Sequence, residues 1–196
     1  MPIVTSLKPQ KSGKRVNVYL DGRYGFGIDL ETLMTLKIAE GTEYSESEIK
    51  EIVKKAEFQK TLEKLLKYAT LRPRSIFEIK QWLKRKRVHE SLHKDLFNRL
   101  KRLDLVDDEK FARWWVEQRM AFKPRSARLL TYELQVKGIR KEVIEKVLDK
   151  MDIDELKIAR KLAVKMKNKD KKKVVAYLSR QGFDWETIKR VVDYKE

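Results

Sequence analysis

The chain contains an internal repeat. Arg72-Pro73-Arg74-Ser75 recurs 51 residues later as Lys123-Pro124-Arg125-Ser126, and the same offset pairs Leu83 with Leu134 and Val88 with Ile139. A second offset, of 44 residues, pairs Leu134 with Leu178, Gly138 with Gly182, Ile139 with Phe183 and Ile144 with Ile188. Self-similarity at this spacing means stacked supersecondary units that bury their apolar faces against one another. The repeating unit reads as three short amphipathic helices. The middle one opens at a basic loop with a Ser cap and closes at Gly138 or Gly182, the C′ position where a left-handed residue is favoured. The first unit has Arg87 where the other two have glycine, and the third lacks the proline.

Ahead of the repeats the hydrophobic period is two. Val16, Val18 and Leu20 alternate with polar residues, Asp21-Gly22 follows, and Tyr24, Phe26 and Ile28 alternate in turn. Asp-Gly between alternating runs signals a hairpin, because a type I′ turn needs positive φ at both central residues. Residues Ile3 to Leu7 suggest a third strand, and Gly25 and Gly27 suggest a bulge or a close backbone approach. Leu30, Leu33 and Met34 suggest a short helix ending near Gly41. Ser45 to Glu48 reads as a capping box. It opens one long helix, or two with a break near Phe58, ended by Arg72-Pro73.

Ser75 to Glu78 reads as another capping box, with Ile76, Ile79, Trp82 and Leu83 grouped behind it. Leu92, Leu96, Leu100 and Leu103 form the next stripe. Asp107 or Asp108 caps a helix in which Phe111 and Trp115 face together, while Trp114 points about 100° away. Trp114, or Trp115 if the face is reversed, is then a candidate for an exposed partner-binding patch. The aromatic spacing otherwise fits a core. Asp152 to Glu155 starts the last unit with a further capping box, and Asp184 caps its final helix.

The expected architecture is mainly α. Its boundaries are a small β module with a short helix over 1–45, a linker helix and first three-helix repeat over 46–108, a second repeat over 109–152 and a third over 153–196.

Charge narrows the function. Forty-seven basic against 30 acidic residues give a net charge of +17, which favours a polyanionic partner such as nucleic acid or an acidic protein surface. A lysine-rich thermophile surface is the competing explanation. Seven basic residues stand against Glu78 alone between Arg72 and Arg87, and nine against Asp170 alone between Lys157 and Lys173. Basic loops before middle helices present side-chain cations beside free backbone N–H groups, which suits phosphate. A solvated basic face is the plainer alternative. The candidate partner-binding residues are Arg72, Arg74, Lys84, Arg85, Arg87, Lys123, Arg125, Arg128, Lys169, Lys171, Lys172 and Lys173.

Catalytic constellations are not evident. His89-Glu90-Ser91-Leu92-His93 matches H-E-x-x-H, in which two His one helical turn apart hold zinc and Glu polarises water. Here it follows the charged run Lys84 to Arg87 and falls, in repeat register, at an inter-helix turn, so it is set aside. No catalytic residue, metal or cofactor is expected. The chain has no cysteine, which excludes thiol chemistry and fits a reducing, cytoplasmic setting. No apolar run approaches a membrane span, and the N-terminal stretch lacks a signal peptide's apolar segment.

Three stretches carry a resemblance: Leu105 to Val116, Lys123-Pro124-Arg125-Ser126, and Glu133 to Ile139. They resemble the RecX family. Leu71 to Ser75 with Glu78 and Leu83 is similar to that family's first-repeat opening, and Tyr177 to Phe183 to its third-repeat signature. The resemblance covers roughly 57–196, and the β module lies outside its strongest part. It implies three tandem three-helix repeats in an elongated, curved array. It further implies a bacterial regulator that binds the RecA recombinase and lies in the groove of its nucleoprotein filament. Such a regulator lowers ATPase, strand-exchange and coprotease activity in DNA repair and the SOS response, and has no catalytic site. A monomer that binds DNA weakly alone is expected. The alternative is a basic helical protein that binds nucleic acid independently of RecA.

Overall fold

The computed structural model describes residues 1–166 and 168–193, which divide into two compact units, 1–71 with 88–99 and 72–87 with the described residues from 100 onward. Lys167, part of the basic cluster before the last middle helix, lies outside the described residues. Among the described residues ten α-helices follow a three-stranded antiparallel sheet in the order β1-β2-β3.

In the first unit, β1 (Val4–Pro9), β2 (Arg15–Leu20) and β3 (Arg23–Asp29) form a meander. The β2–β3 turn has Asp21 at φ 49° and Gly22 at φ 78°, the positive pair a type I′ hairpin requires. Gly25 is the bulge. Val18 pairs with Phe26 and Tyr19 with Tyr24, which leaves Gly25 without a partner. Helix α1 (Leu30–Thr35) stops well before Gly41, with Lys37 already left-handed at φ 51°. Met34 and Leu30 face solvent, and the apolar period overstated that helix's buried face.

Helix α2 (Glu46–Thr70) is continuous through Phe58, and Ser45 and Glu48 make the full reciprocal capping box. Its first turns place Ile52 and Ala56 in one core with Val4, Val16, Val18, Phe26, Ile28 and Ile38. The two histidines do not share a helical turn. His89 caps a short 3-10 turn over Glu90–Leu92, and His93 Nε2 donates to the Val88 carbonyl at 3.0 Å. Among the described residues no group of His, Asp and Glu is placed to hold a metal.

The second unit contains α3 (Ile76–Arg85), α5 (Asp108–Phe122), α6 (Ala127–Val136), α7 (Lys141–Lys150), α8 (Glu155–Val164), α9 (Lys171–Arg180) and α10 (Trp185–Val192). Helix α4 (His93–Arg102) reaches it only with its last residues. Leu92 at the end of the 3-10 turn and Leu96 and Leu100 on α4 mark the buried stripe, whereas Leu103 beyond the helix end is exposed.

Helices α5 to α7 close over one core of Phe111, Val116, Leu130, Leu134, Ile139, Ile144 and Val147. Helices α8 to α10 close over another, of Ala159, Leu162, Val174, Leu178, Phe183, Ile188 and Val191. Ser75, Asp107, Ser126, Asp154, Asp170 and Asp184 each accept a backbone N–H at the start of a helix, at Ser75, Asp107, Ser126 and Asp184 as the sequence signals indicate. The box expected from Asp152 to Glu155 is not made: Asp152 is left-handed, Asp154 is the cap, and the Glu155 carboxylate serves Ala127 N–H instead.

The successive helix groups meet by one recurring contact. Ser75 donates through Oγ to the Lys137 carbonyl at the end of α6, and Ser126 donates through its backbone N–H to the Gln181 carbonyl at the end of α9. The next residue along is the left-handed glycine in both cases. A Cβ on Gly138 would lie 2.4 Å from Phe77 Cβ, and one on Gly182 would lie 2.4 Å from Ser126 Oγ. The following group also supplies an acid. Asp108 Oδ1 accepts from Ile76 N–H at 2.8 Å, and Glu155 Oε1 accepts from Ala127 N–H at 2.7 Å. The first amide of one middle helix, an orphan donor by helix geometry, is thus satisfied from the next helix group.

Candidate polyanion interface

The cations divide into two sets by what they touch. The first set is turned inward. Glu78, at the start of α3, receives Arg72 on both carboxylate oxygens at 2.8 and 2.9 Å, with Arg74 at 3.9 Å and Lys137 at 3.4 Å. The expected capping box at Ser75 is therefore only half made. Ser75 accepts from Glu78 N–H, but the Glu78 carboxylate serves the cations. Burial pushes the Glu78 carboxyl up, but the Arg72 hydrogen bonds and the charges of Arg72, Lys137 and Arg74 outweigh it and hold the group below the usual range.

Glu133 of α6 is the second hub. It accepts from Trp115 Nε1 at 2.8 Å and Arg119 Nε at 2.6 Å, with Arg125 Nε at 3.2 Å. The two tryptophans lie between the hubs. Arg72 covers Trp114 at 5.2 Å, while Arg119 and Lys137 cover Trp115 at 4.5 and 5.0 Å. Both rings also lean on the fully buried Phe111, at 5.9 Å. Neither Trp is the open patch that the 100° offset suggested, because Arg72 from the loop before α3, Arg119 of α5 and Lys137 at the end of α6 cover them. Of the twelve candidate residues, Arg74 is buried and Arg72 and Arg125 are half-buried in these ion pairs.

The second set faces solvent. Lys84, Arg85, Arg87, Lys123, Arg128, Lys169, Lys171, Lys172 and Lys173 are all exposed. Lys171 pairs with Asp193 at 3.4 Å and Lys173 with Asp170 at 3.3 Å, both exposed and so weakly held. Helices α3, α6 and α9 share one property. The sole acid of α3 is Glu78 and that of α6 is Glu133, both committed to the inward cations, and α9 has none. By contrast, exposed acids stand on α7 (Glu142, Glu145, Asp149), α5 (Glu117) and α10 (Glu186). The middle helices therefore present cations without exposed carboxylates, which favours contact with phosphates or an acidic surface.

Sequence reasoning did not single out the two hubs, Lys137 or Arg119. Glu78 was visible as a capping residue, as the lone acid of its basic cluster and as part of the first-repeat motif, but not as a hub. The Glu133 contacts join α5, the loop before α6 and α6 itself, and no helical spacing links them. Asp108 was legible as a cap, but the helix it caps is α3 rather than its own. Burial raises its carboxyl above the ordinary range, opposed by the bond from Ile76.

The fold and site together define a class: helix groups stacked through their middle helices, with a cation-bearing face and a half-buried carboxylate hub in α3 and in α6. Residues 107–148 match the family model described as RecX, second three-helix domain, and residues 2–45 match the Regulatory protein RecX N-terminal domain. The β module is thus part of the family's plan. A Regulatory protein RecX of Bacillus licheniformis is 32% identical over 198 residues, covering 96% of this chain and 75% of its own. One from Caldanaerobacter subterraneus subsp. tengcongensis is 30% identical over 197 residues, covering 98% and 99%. The chain belongs to the RecX family of regulatory proteins. Its fold matches a crystal structure of regulatory protein RecX with a TM-score of 0.72 at 24% identity, over 98% of this chain and all of the other. A RecX from Lactobacillus salivarius matches over 70% of this chain and 96% of its own, with a TM-score of 0.57 at 23% identity. Among the described residues no helix is long and apolar enough to cross a membrane.

Proposed function

We propose that this chain regulates the RecA recombinase by binding, without chemistry of its own. It binds RecA and the groove of the RecA–DNA filament in the cytoplasm. There it lowers recombinase, ATPase and coprotease activity in DNA repair and the SOS response. The observation that carries the reading is the charge asymmetry of the middle helices, whose only acids are occupied internally while their cations face outward. A surface of this kind suits a partner made of phosphates and acidic protein together. RecA as that partner comes from the family resemblance.

The contacts are assigned to Lys84, Arg85, Arg87, Lys123, Arg128, Lys169, Lys171, Lys172 and Lys173. Arg72, Arg74 and Arg125 act one step removed, by fixing the loops that lead into α3 and α6. The test is the single-stranded-DNA-dependent ATPase of RecA from the same source, with this protein well below equimolar. Strong inhibition is the expected result. Unchanged ATPase with DNA still bound would overturn the RecA assignment and leave a nucleic-acid-binding protein that acts alone.

A further inference from the structure

Tyr132 of α6 is 62% exposed, and among the described residues its ring joins no aromatic or cation pair and its hydroxyl no hydrogen bond. Trp114 and Trp115, in contrast, lie beneath Arg72, Arg119 and Lys137. Arg128 sits one turn before Tyr132 and the exposed Val136 one turn after it, so the three form one stripe along the helix surface. Glu133, the sole acid of α6, is turned to Trp115, Arg119 and Arg125, and the stripe has no exposed carboxylate. In repeat register Tyr132 occupies the place of Gln81 in α3 and Ala176 in α9, so the ring belongs to the second middle helix only.

An open aromatic face beside an unopposed guanidinium is the arrangement by which proteins hold single-stranded nucleic acid. The ring stacks on a base and the cation takes a neighbouring phosphate. A duplex offers no free base face to such a ring. Trp185 is equally exposed, at 67%, but Asp184 and Glu186 flank it and would repel a phosphate backbone. We propose that Tyr132 stacks on an unpaired nucleobase of a single-stranded nucleic acid, with Arg128 on the adjacent phosphate. The inference rests on the polyanion reading above and adds the state of the strand.

The test is fluorescence anisotropy of a labelled oligothymidylate across a salt series. Parallel titrations use an abasic oligomer of equal length and a duplex. The proteins are the full chain and its Tyr132→Ala, Tyr132→Trp, Arg128→Ala and Trp185→Ala variants. Tyr132→Ala is expected to weaken oligothymidylate binding about five- to tenfold with its salt slope unchanged. Tyr132→Trp retains the affinity. Arg128→Ala lowers the slope by about 0.7. The abasic oligomer binds the unaltered chain as weakly as oligothymidylate binds Tyr132→Ala, and Trp185→Ala changes nothing. Stacking is overturned if Tyr132→Ala leaves salt-dependent oligothymidylate binding intact, or weakens duplex and abasic binding equally. If the unaltered chain shows no salt-dependent binding at all, the polyanion reading fails and this inference with it.

Discussion

The loop before α6 and the segment before α9 are both basic, yet their cations do different work. Before α6, Arg125 reaches back to Glu133, and Arg119 from α5 joins it across Trp115. Before and within the first turn of α9, Lys169, Lys171, Lys172 and Lys173 all stand in solvent, and α9 has no buried acid to draw them in. A basic cluster therefore stays open to solvent only where the fold leaves it without an internal carboxylate. The turns after the middle helices offer a second contrast. Gly138 and Gly182 are left-handed and pressed against the preceding helix group, while Arg87 takes the same conformation, at φ 51°, with its side chain exposed.

The largest effect is expected at those glycines. Gly138→Ala and Gly182→Ala must both distort a packed contact and strain a left-handed backbone, for an expected loss of about 3 kcal/mol each in urea denaturation. Arg87→Gly should move the other way, gaining up to about 1 kcal/mol by relieving the same strain without a clash. Equal, small effects at all three positions would erase the contrast.

Next comes Glu133→Gln, which leaves Arg119 and Arg125 without their counter-charge. It should cost about 2–3 kcal/mol of stability, and a loss of Trp115 burial should appear as a red-shifted emission. The triple replacement of Lys171, Lys172 and Lys173 by Ala should shift stability by less than about 0.5 kcal/mol. It should also reduce the salt slope of single-strand binding by about 2. An unchanged slope would remove these lysines from the interface.

The smallest effect separates the two perturbed carboxyls by pH. Glu78 is depressed in the folded state, so its contribution is present above its unfolded value and is lost as pH falls through the folded one. Asp108 is raised, so the folded state favours its proton, and that contribution is lost as pH rises through its folded value. Asp108→Asn keeps an acceptor for Ile76 N–H and removes the half-buried charge. It should leave stability at neutral pH unchanged or slightly higher, while Glu78→Gln lowers it and flattens the acid limb of the pH–stability curve.

The caps at Ser45, Ser75, Ser126 and Asp184, the Asp21-Gly22 turn, a bulge at one of the β3 glycines and the repeat register were legible in the sequence. Each depends on residues within a few positions of one another, where propensity and hydrogen-bond geometry act locally. The ends of weak elements were less so. Nothing in the period at Leu30, Leu33 and Met34 says that only one of the three packs inward. The roles of Arg72, Arg74 and Arg125 were not legible at all. A cation's use depends on whether a carboxylate lies within reach in space, and Lys137 meets Glu78 across 59 residues of sequence. By itself the sequence determined a β module followed by repeating helices, the glycines between them and a strongly basic chain. Only the tertiary structure decided which charges were neutralised in the interior and which stayed outside, because desolvated ion pairs form where packing brings opposite charges together, whatever their separation along the chain.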